Sequence, residues 1–131
     1  MTVALVYGLG ITGAALGDAL HRRGVRVLAG DDRAAPASAA DAERWATDLV
    51  TAPDETTLQR LVEASDIVCP APGVPEHHPV ILLAQQHGKP LRSEIELAYE
   101  WEQQRSGGPR PMLGVTGTDG KTTTTLMATA I

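Results

Sequence analysis

Val3-Ala4-Leu5-Val6-Tyr7-Gly8-Leu9-Gly10-Ile11-Thr12-Gly13 opens the chain with an apolar run and a G-x-G-x-x-G string, and Ala14 to Arg23, rich in Ala and Leu, leads on to Gly24. Apolar run, glycines and amphipathic stretch in that order read as strand, tight turn and helix, with Gly24 as the C-terminal cap. Val25 to Ala29 reads as a second strand, and Asp31 and Asp32 sit at its carboxyl end, about twenty residues past the glycines. Such a string allows a close backbone approach to a diphosphate, and a carboxylate beyond the second strand can take a hydroxyl or a ring N–H. The fold class predicted is α/β, a Rossmann-like parallel sheet flanked by helices. A bulky residue at Gly10 is expected both to strain the turn and to block the diphosphate.

Beyond this stretch, strand and helix alternate at short spacing. Asp48 to Thr51 reads as a strand, Glu55 to Ala64 as a helix with Leu58, Leu61 and Val62 on one face, and Asp66 to Cys69 as another strand. Val80 to His87 is predicted helical, closed by Gly88 and Pro90. Pro90 to Ser93 comes next as a fifth short strand before a helix over Glu94 to Gln104. Right-handed crossovers join the strands. Ala34 to Ala42 reads as a loop or irregular helix start. Pro70-Ala71-Pro72-Gly73-Val74-Pro75 makes a stiff loop at the carboxyl edge of the sheet, where ligands of open α/β sheets bind, and suits the flank of a flat ring. His77 and His78 lack partners at metal-ligand spacing and read as helix-capping or surface residues. Cys69 reads as a small buried hydrophobe, and Trp101, beside Tyr99, as an anchor for its helix.

The 131 residues allow one domain with a core. Phenylalanine is absent and only two Trp and two Tyr are present, so packing falls to Ala, Val, Leu and Ile. A net charge of −5 without a basic stripe or aromatic ladder speaks against nucleic-acid binding. The apolar runs fall short of a membrane span, and the amino terminus lacks a charged-then-apolar signal segment. A single cysteine excludes an internal disulfide and fits a reducing compartment, so a cytoplasmic location is expected. A monomer is the expected state.

A second glycine motif, Gly117-Thr118-Asp119-Gly120-Lys121-Thr122, comes after an apolar segment, Pro111 to Val115, that reads as a strand. Glycines let backbone N–H groups curl around phosphate oxygens, Lys121 would reach the terminal phosphates, and the Thr122 hydroxyl can hold Mg²⁺. The strict phosphate-loop pattern wants a glycine where Val115 stands, so this is a shorter variant. Ser106 to Pro111 is the clearest linker, which divides the chain into a domain over 1–105, a linker over 106–110 and the start of an ATP-binding domain over 111–131. The helix after Thr122 is short and Thr-rich, so residues from about 117 onward are expected to be mobile and ATP to bind weakly or not at all.

Val6 to Gly13, Asp31-Asp32-Arg33, Ala71-Pro72-Gly73, His78-Pro79, Ser93 to Leu97 and Gly114 to Thr122, in this order, resemble the start of a Mur ligase, and in particular of the D-glutamate-adding members of that family. The resemblance covers essentially the whole chain but only the front third of such an enzyme. It implies a Rossmann-like first domain that binds the UDP part of UDP-N-acetylmuramoyl-L-alanine, then the beginning of a domain that binds ATP and Mg²⁺. Gly10, Ile11 and Thr12 would meet the diphosphate, and Asp31, Asp32 and Arg33 the uracil, helped by Gly73. Gly117, Thr118, Asp119, Gly120, Lys121, Thr122 and Thr123 would hold ATP, with Thr122 on the Mg²⁺ side. The chain departs from the family where Asp119 replaces a common asparagine and Asp32 a common small hydroxyl residue. The implied reaction is ATP-driven amide formation with D-glutamate in peptidoglycan synthesis, whose catalytic groups would lie beyond Ile131, so that these residues bind without ligating. An NAD-dependent dehydrogenase domain or a nucleotide-sensing regulatory module would also use the first motif; neither explains the second.

Overall fold

Residues 1–130 are described in a computed structural model. Met1–Tyr99 forms one compact unit and the residues from Glu100 onward a second.

In the first unit, four parallel strands lie in the order β3-β2-β1-β4: β1 (Val3–Tyr7), β2 (Arg26–Asp31), β3 (Asp48–Thr51) and β4 (Ile67–Pro70). The chain steps outward from β1 to β3, then returns to the far side of β1 as β4. That reversal leaves a crevice beyond the carboxyl ends of β1 and β4, the place where doubly wound sheets take their ligands. Between the strands run α1 (Ile11–Arg22), the short α2 (Ala39–Ala42), α3 (Glu55–Ala64) and α4 (Pro79–Gln86); α5 (Glu94–Gln103) begins in the first unit and ends in the second.

Alternation along the strands sorts the core into two faces. Leu5, Tyr7, Leu28 and Val68 pack with Leu58, Leu61 and Val62 of α3 and Val80, Ile81 and Ala84 of α4. On the other face, Val6 lies toward α1, whose Leu16 and Leu20 are buried together with Trp45. Gly17 makes the packing of Trp45 possible, because a Cβ there would sit 2.3 Å from the indole ring. Asp54 caps α3 by accepting from the Thr57 N–H at 2.7 Å, and His78 caps α4, its Nδ1 accepting from the Val80 N–H at 3.1 Å. The capping reading of His78 is thus the observed one. Cys69 is fully buried, and burial pushes its thiol up to about 12.

Three expectations need correction. Pro90 to Ser93 is not a strand: a single parallel bridge links Leu91 to Val68, since only Pro90 O and the Arg92 N–H reach the β4 backbone, at 2.9 and 3.0 Å. Pro111 to Val115 forms no strand either; Met112 and Leu113 are exposed and, among the described residues, the segment has no ladder partner. Helix α1 starts at Ile11, three residues before the expected Ala14, because the glycine turn itself supplies the N-cap, Gly10.

In the second unit, Glu102 accepts from Arg110 Nη2 at 2.7 Å, Nε at 2.9 Å and the Arg110 N–H at 2.8 Å, and α6 (Lys121–Thr129) comes directly after Gly120. None of the described residues from Glu100 onward is buried.

Candidate functional site

The three loops that leave β1, β2 and β4 meet above the crevice. Register fixes their level, since Tyr7 at the end of β1 pairs with Gly30 on one side and Pro70 on the other. A cavity of about 500 Å³ opens there. Gly10, Ile11, Thr12, Asp31, Asp32, Arg33 and Gly73, drawn from three separate segments, all line it.

The three glycines of the first motif do different work. Gly8 has φ +93°, and a Cβ there would press on Ala71 and Val74 of the loop after β4, at 3.0 and 3.2 Å. Gly13 lets α1 approach the turn, because a Cβ would lie 1.9 Å from the Gly8 carbonyl oxygen. Gly10 is different: its φ of −83° suits any residue, and nothing lies within 4 Å of a Cβ built on it. The expected strain at Gly10 is therefore absent, and its smallness leaves open space on the cavity side. The first intrahelical bond runs from the Ala14 N–H to Gly10 O at 3.0 Å, so the N–H groups of Ile11, Thr12 and Gly13 have no acceptor within the helix. The first turn of α1 carries no acidic residue, which preserves its positive end for an anion.

The two adjacent aspartates are not equivalent. Asp31 is 3% exposed. Its Oδ1 accepts from the Arg33 N–H at 2.8 Å and Nε at 2.9 Å, and its Oδ2 from the Leu9 N–H at 2.6 Å and Arg33 Nη2 at 2.8 Å. Two donors on each oxygen fill its lone pairs. The Arg33 side chain above all, with the backbone N–H groups of Arg33 and Leu9, outweighs burial and lowers the Asp31 carboxyl to about 2. Asp31 thus ties the glycine turn to the end of β2 and holds Arg33 over the cavity. Asp32, with its side chain 64% exposed, accepts from the Tyr7 hydroxyl at 2.6 Å on Oδ1 and meets His78 Nε2 at 2.8 Å on Oδ2. Burial first, then the Asp32 contact, raises the pKa of the Tyr7 phenol.

Tyr7 and His78 are the site residues that the sequence reading missed. Gly30 makes room for the Tyr7 ring, as a Cβ there would sit 2.7 Å from it, and the ring centroids of Tyr7 and His78 lie 5.2 Å apart. A signal existed in the glycine at strand β2, opposite the single aromatic of β1, but only the pairing register shows that they face each other. A second cavity of about 470 Å³ lies beyond them, sharing Tyr7 and Asp32 as a wall and lined by Leu58, His78, Leu82 and Leu83.

The second glycine motif lies in the second unit. Gly117 and Gly120 have φ of +152° and +76°, Lys121 Nζ donates to Gly117 O, and Thr118 to Thr123 line a cavity of about 300 Å³ at the start of α6. Among the described residues no cluster of His, Cys, Asp and Glu could hold a metal ion, and no helix is long and apolar enough to cross a membrane.

Residues 2–93 match the family described as Mur ligase MurD-like, N-terminal domain. Among curated relatives, UDP-N-acetylmuramoylalanine–D-glutamate ligase of Mycolicibacterium vanbaalenii is 38% identical over 97% of this chain and 26% of its own length. The proteins of that name from Protochlamydia amoebophila and Frankia casuarinae are 37% and 40% identical, over 98% and 97% of this chain. The chain spans about a quarter of the length of these relatives. Among solved structures, a pseudomurein peptide ligase type C from Methanothermus fervidus aligns over 98% of this chain and 25% of its own, with a TM-score of 0.62 at 23% identity. Saccharopine dehydrogenase from Saccharomyces cerevisiae aligns over 71% of this chain and 21% of its own, with a TM-score of 0.57 at 18% identity, so the fold alone is shared with a dehydrogenase. The family match takes in well over half of the residues, the glycine turn, the two aspartates and the loop after β4 among them: the chain belongs to the MurD-like N-terminal domains of the Mur ligases.

Proposed function

We propose that this chain is the uridine-nucleotide-binding part of an ATP-dependent ligase that adds D-glutamate to UDP-N-acetylmuramoyl-L-alanine in peptidoglycan biosynthesis. The observation that carries the reading is the cavity at the crevice, where an unobstructed Gly10 and the free N–H groups opening α1 stand beside Asp32, Arg33 and Gly73. A diphosphate suits the helix end, because its charge meets the dipole and the N–H groups without competition from an acidic side chain. The base then falls toward the loops after β2 and β4. The saturated Asp31 weighs against a dinucleotide reading, in which the acid at the end of the second strand accepts from ribose hydroxyls.

The residues of the second motif fit a nucleotide triphosphate. Two positive-φ glycines open the loop, and nothing obstructs Gly120. Gly117 to Thr123 would hold the phosphates, with Lys121 against the terminal ones and the Thr122 hydroxyl toward Mg²⁺. Mg²⁺-ATP would supply the activation of the substrate carboxylate that the amine of D-glutamate then attacks. Within these residues we assign binding and no ligation step, and we place the protein in the cytoplasm as a monomer.

Thermal unfolding tests the reading. UDP-N-acetylmuramoyl-L-alanine, and UDP more weakly, should raise the melting temperature, since a ligand at 100 times its Kd adds about 2.7 kcal/mol. A shift with NADH and none with either uridine ligand would replace the ligase reading with the dehydrogenase one.

A further inference from the structure

Of the two adjacent acids, Asp32 alone can take a proton donor from a base. Asp31 cannot, because its four acceptor positions are filled by Leu9 and Arg33 from within the fold. Asp32 lines the same cavity with one partner on each oxygen, which leaves an acceptor position on each. Both partners are held rigidly. Tyr7 is 1% exposed, locked in the core over Gly30. The His78 ring is pinned by the Val80 N–H on Nδ1, which assigns the proton of the neutral ring to Nε2 and so makes His78 a donor to Asp32.

We propose that Tyr7 and His78 are positioning residues that hold Asp32 as the reader of the nucleotide base, so that the site selects a base presenting an N–H donor, as uracil does at N3. This inference rests on the uridine reading above. Two fixed donors orient a carboxylate that would otherwise turn freely on an exposed loop, and a preoriented acceptor loses less entropy on binding. An acceptor-only group also discriminates: a base edge that lacks the N–H leaves the carboxylate desolvated and unpaired. The 2.6 Å contact from the Tyr7 hydroxyl lies in the short range of charge-assisted hydrogen bonds, consistent with a fixed carboxylate.

Calorimetric titration of the chain with UDP and with N3-methyl-UDP tests this. The unaltered chain should bind UDP about tenfold more tightly than the methylated analogue. Asp32→Ala, at an exposed position, should lose that preference, weakening UDP and no longer penalising the analogue. Tyr7→Phe keeps the buried ring and His78→Asn keeps a capping acceptor, so both should fold; each should weaken UDP about threefold and leave the analogue unchanged. A residue that merely supports the fold would weaken both ligands together. Equal affinity of the unaltered chain for the two ligands, or unchanged UDP affinity in Asp32→Ala, overturns this inference and leaves the uridine reading standing. No UDP binding by the unaltered chain sinks both.

Discussion

At the level of single residues, the glycine motif separates into positions that the fold requires and one that it does not. Gly13→Ala would drive a methyl group to 1.9 Å from the Gly8 oxygen, and neither backbone segment can yield without moving α1 off the sheet. A loss of about 4 kcal/mol is expected, at the severe end for single substitutions, and urea unfolding would register it. Gly10→Ala should shift stability by no more than about 0.5 kcal/mol while reducing affinity for UDP, because its open side is the ligand side. A large stability loss at Gly10 would count against that division. Arg33 also takes a second role. As an exposed loop residue it reads as dispensable for folding, yet its guanidinium is the main reason that the Asp31 carboxyl sits near 2 rather than at 3.8. A carboxyl lowered by folding stabilises the native state fully above the unfolded value and loses that contribution as pH falls through the folded one. Discounted for the exposure of Arg33, the contribution is on the order of 1–2 kcal/mol at pH 7. Arg33→Ala should therefore be less stable at pH 7 by part of that contribution, since the backbone N–H bonds to Asp31 remain, and the difference should shrink between about pH 4 and pH 2. Equal stability of the two proteins at neutral pH would show that the backbone N–H groups of Leu9 and Arg33 suffice to hold Asp31.

Among the elements, those that the sequence specifies locally are where they were expected. β1 spans Val3–Tyr7 because a continuous apolar run meets a glycine turn, and α3 spans Glu55–Ala64 because an Asp54 cap and a one-sided apolar stripe agree. Pro111 to Val115 has the same apolar content as a strand, but a strand exists only with a neighbour, and no local pattern says whether one is there. Pro90 to Ser93 fails for a related reason: Pro90 has no N–H to give a ladder. α6 stands at the margin. It spans only Lys121–Thr129, buries none of its residues and begins with four threonines after its lysine. Isolated helices shorter than about 12–15 residues are marginal in water, and β-branched residues lower the propensity further. A phosphate loop grips through N–H groups held in a fixed nest, so Mg²⁺-ATP titrated calorimetrically into the chain should give no micromolar binding. Micromolar affinity that vanishes in Lys121→Ala would show that the loop keeps its shape although α6 buries none of its residues.

For the molecule as a whole, the fold class was legible because the strand, glycine turn and helix at the amino end admit few arrangements, and right-handed crossovers leave little choice for the later strands. The lining of the cavity was legible where residues end a strand or come within a few residues of its end, as Gly10 to Thr12, Asp31 to Arg33 and Gly73 do. Tyr7 and His78 are separated by most of the first unit's sequence, and their meeting at Asp32 depends on the register of β1 with β2 and on the placement of α4, which no local pattern encodes. All of these residues, and every buried apolar side chain from Ala4 to Leu97, belong to the unit Met1–Tyr99. Stability of a domain tracks the apolar surface that it takes from water, and no described residue from Glu100 onward is buried. A chain ended after Arg105, which keeps α5 whole, should therefore melt within about 2 °C of the intact protein, a difference of well under 1 kcal/mol for a domain of this size. It should also retain the same thermal shift with UDP, because no residue lining the crevice cavity lies beyond Pro75. A large drop in melting temperature with the UDP shift preserved would mean that the carboxyl-terminal residues stabilise the first unit; loss of the UDP shift at unchanged stability would mean that they contribute to the nucleotide site itself.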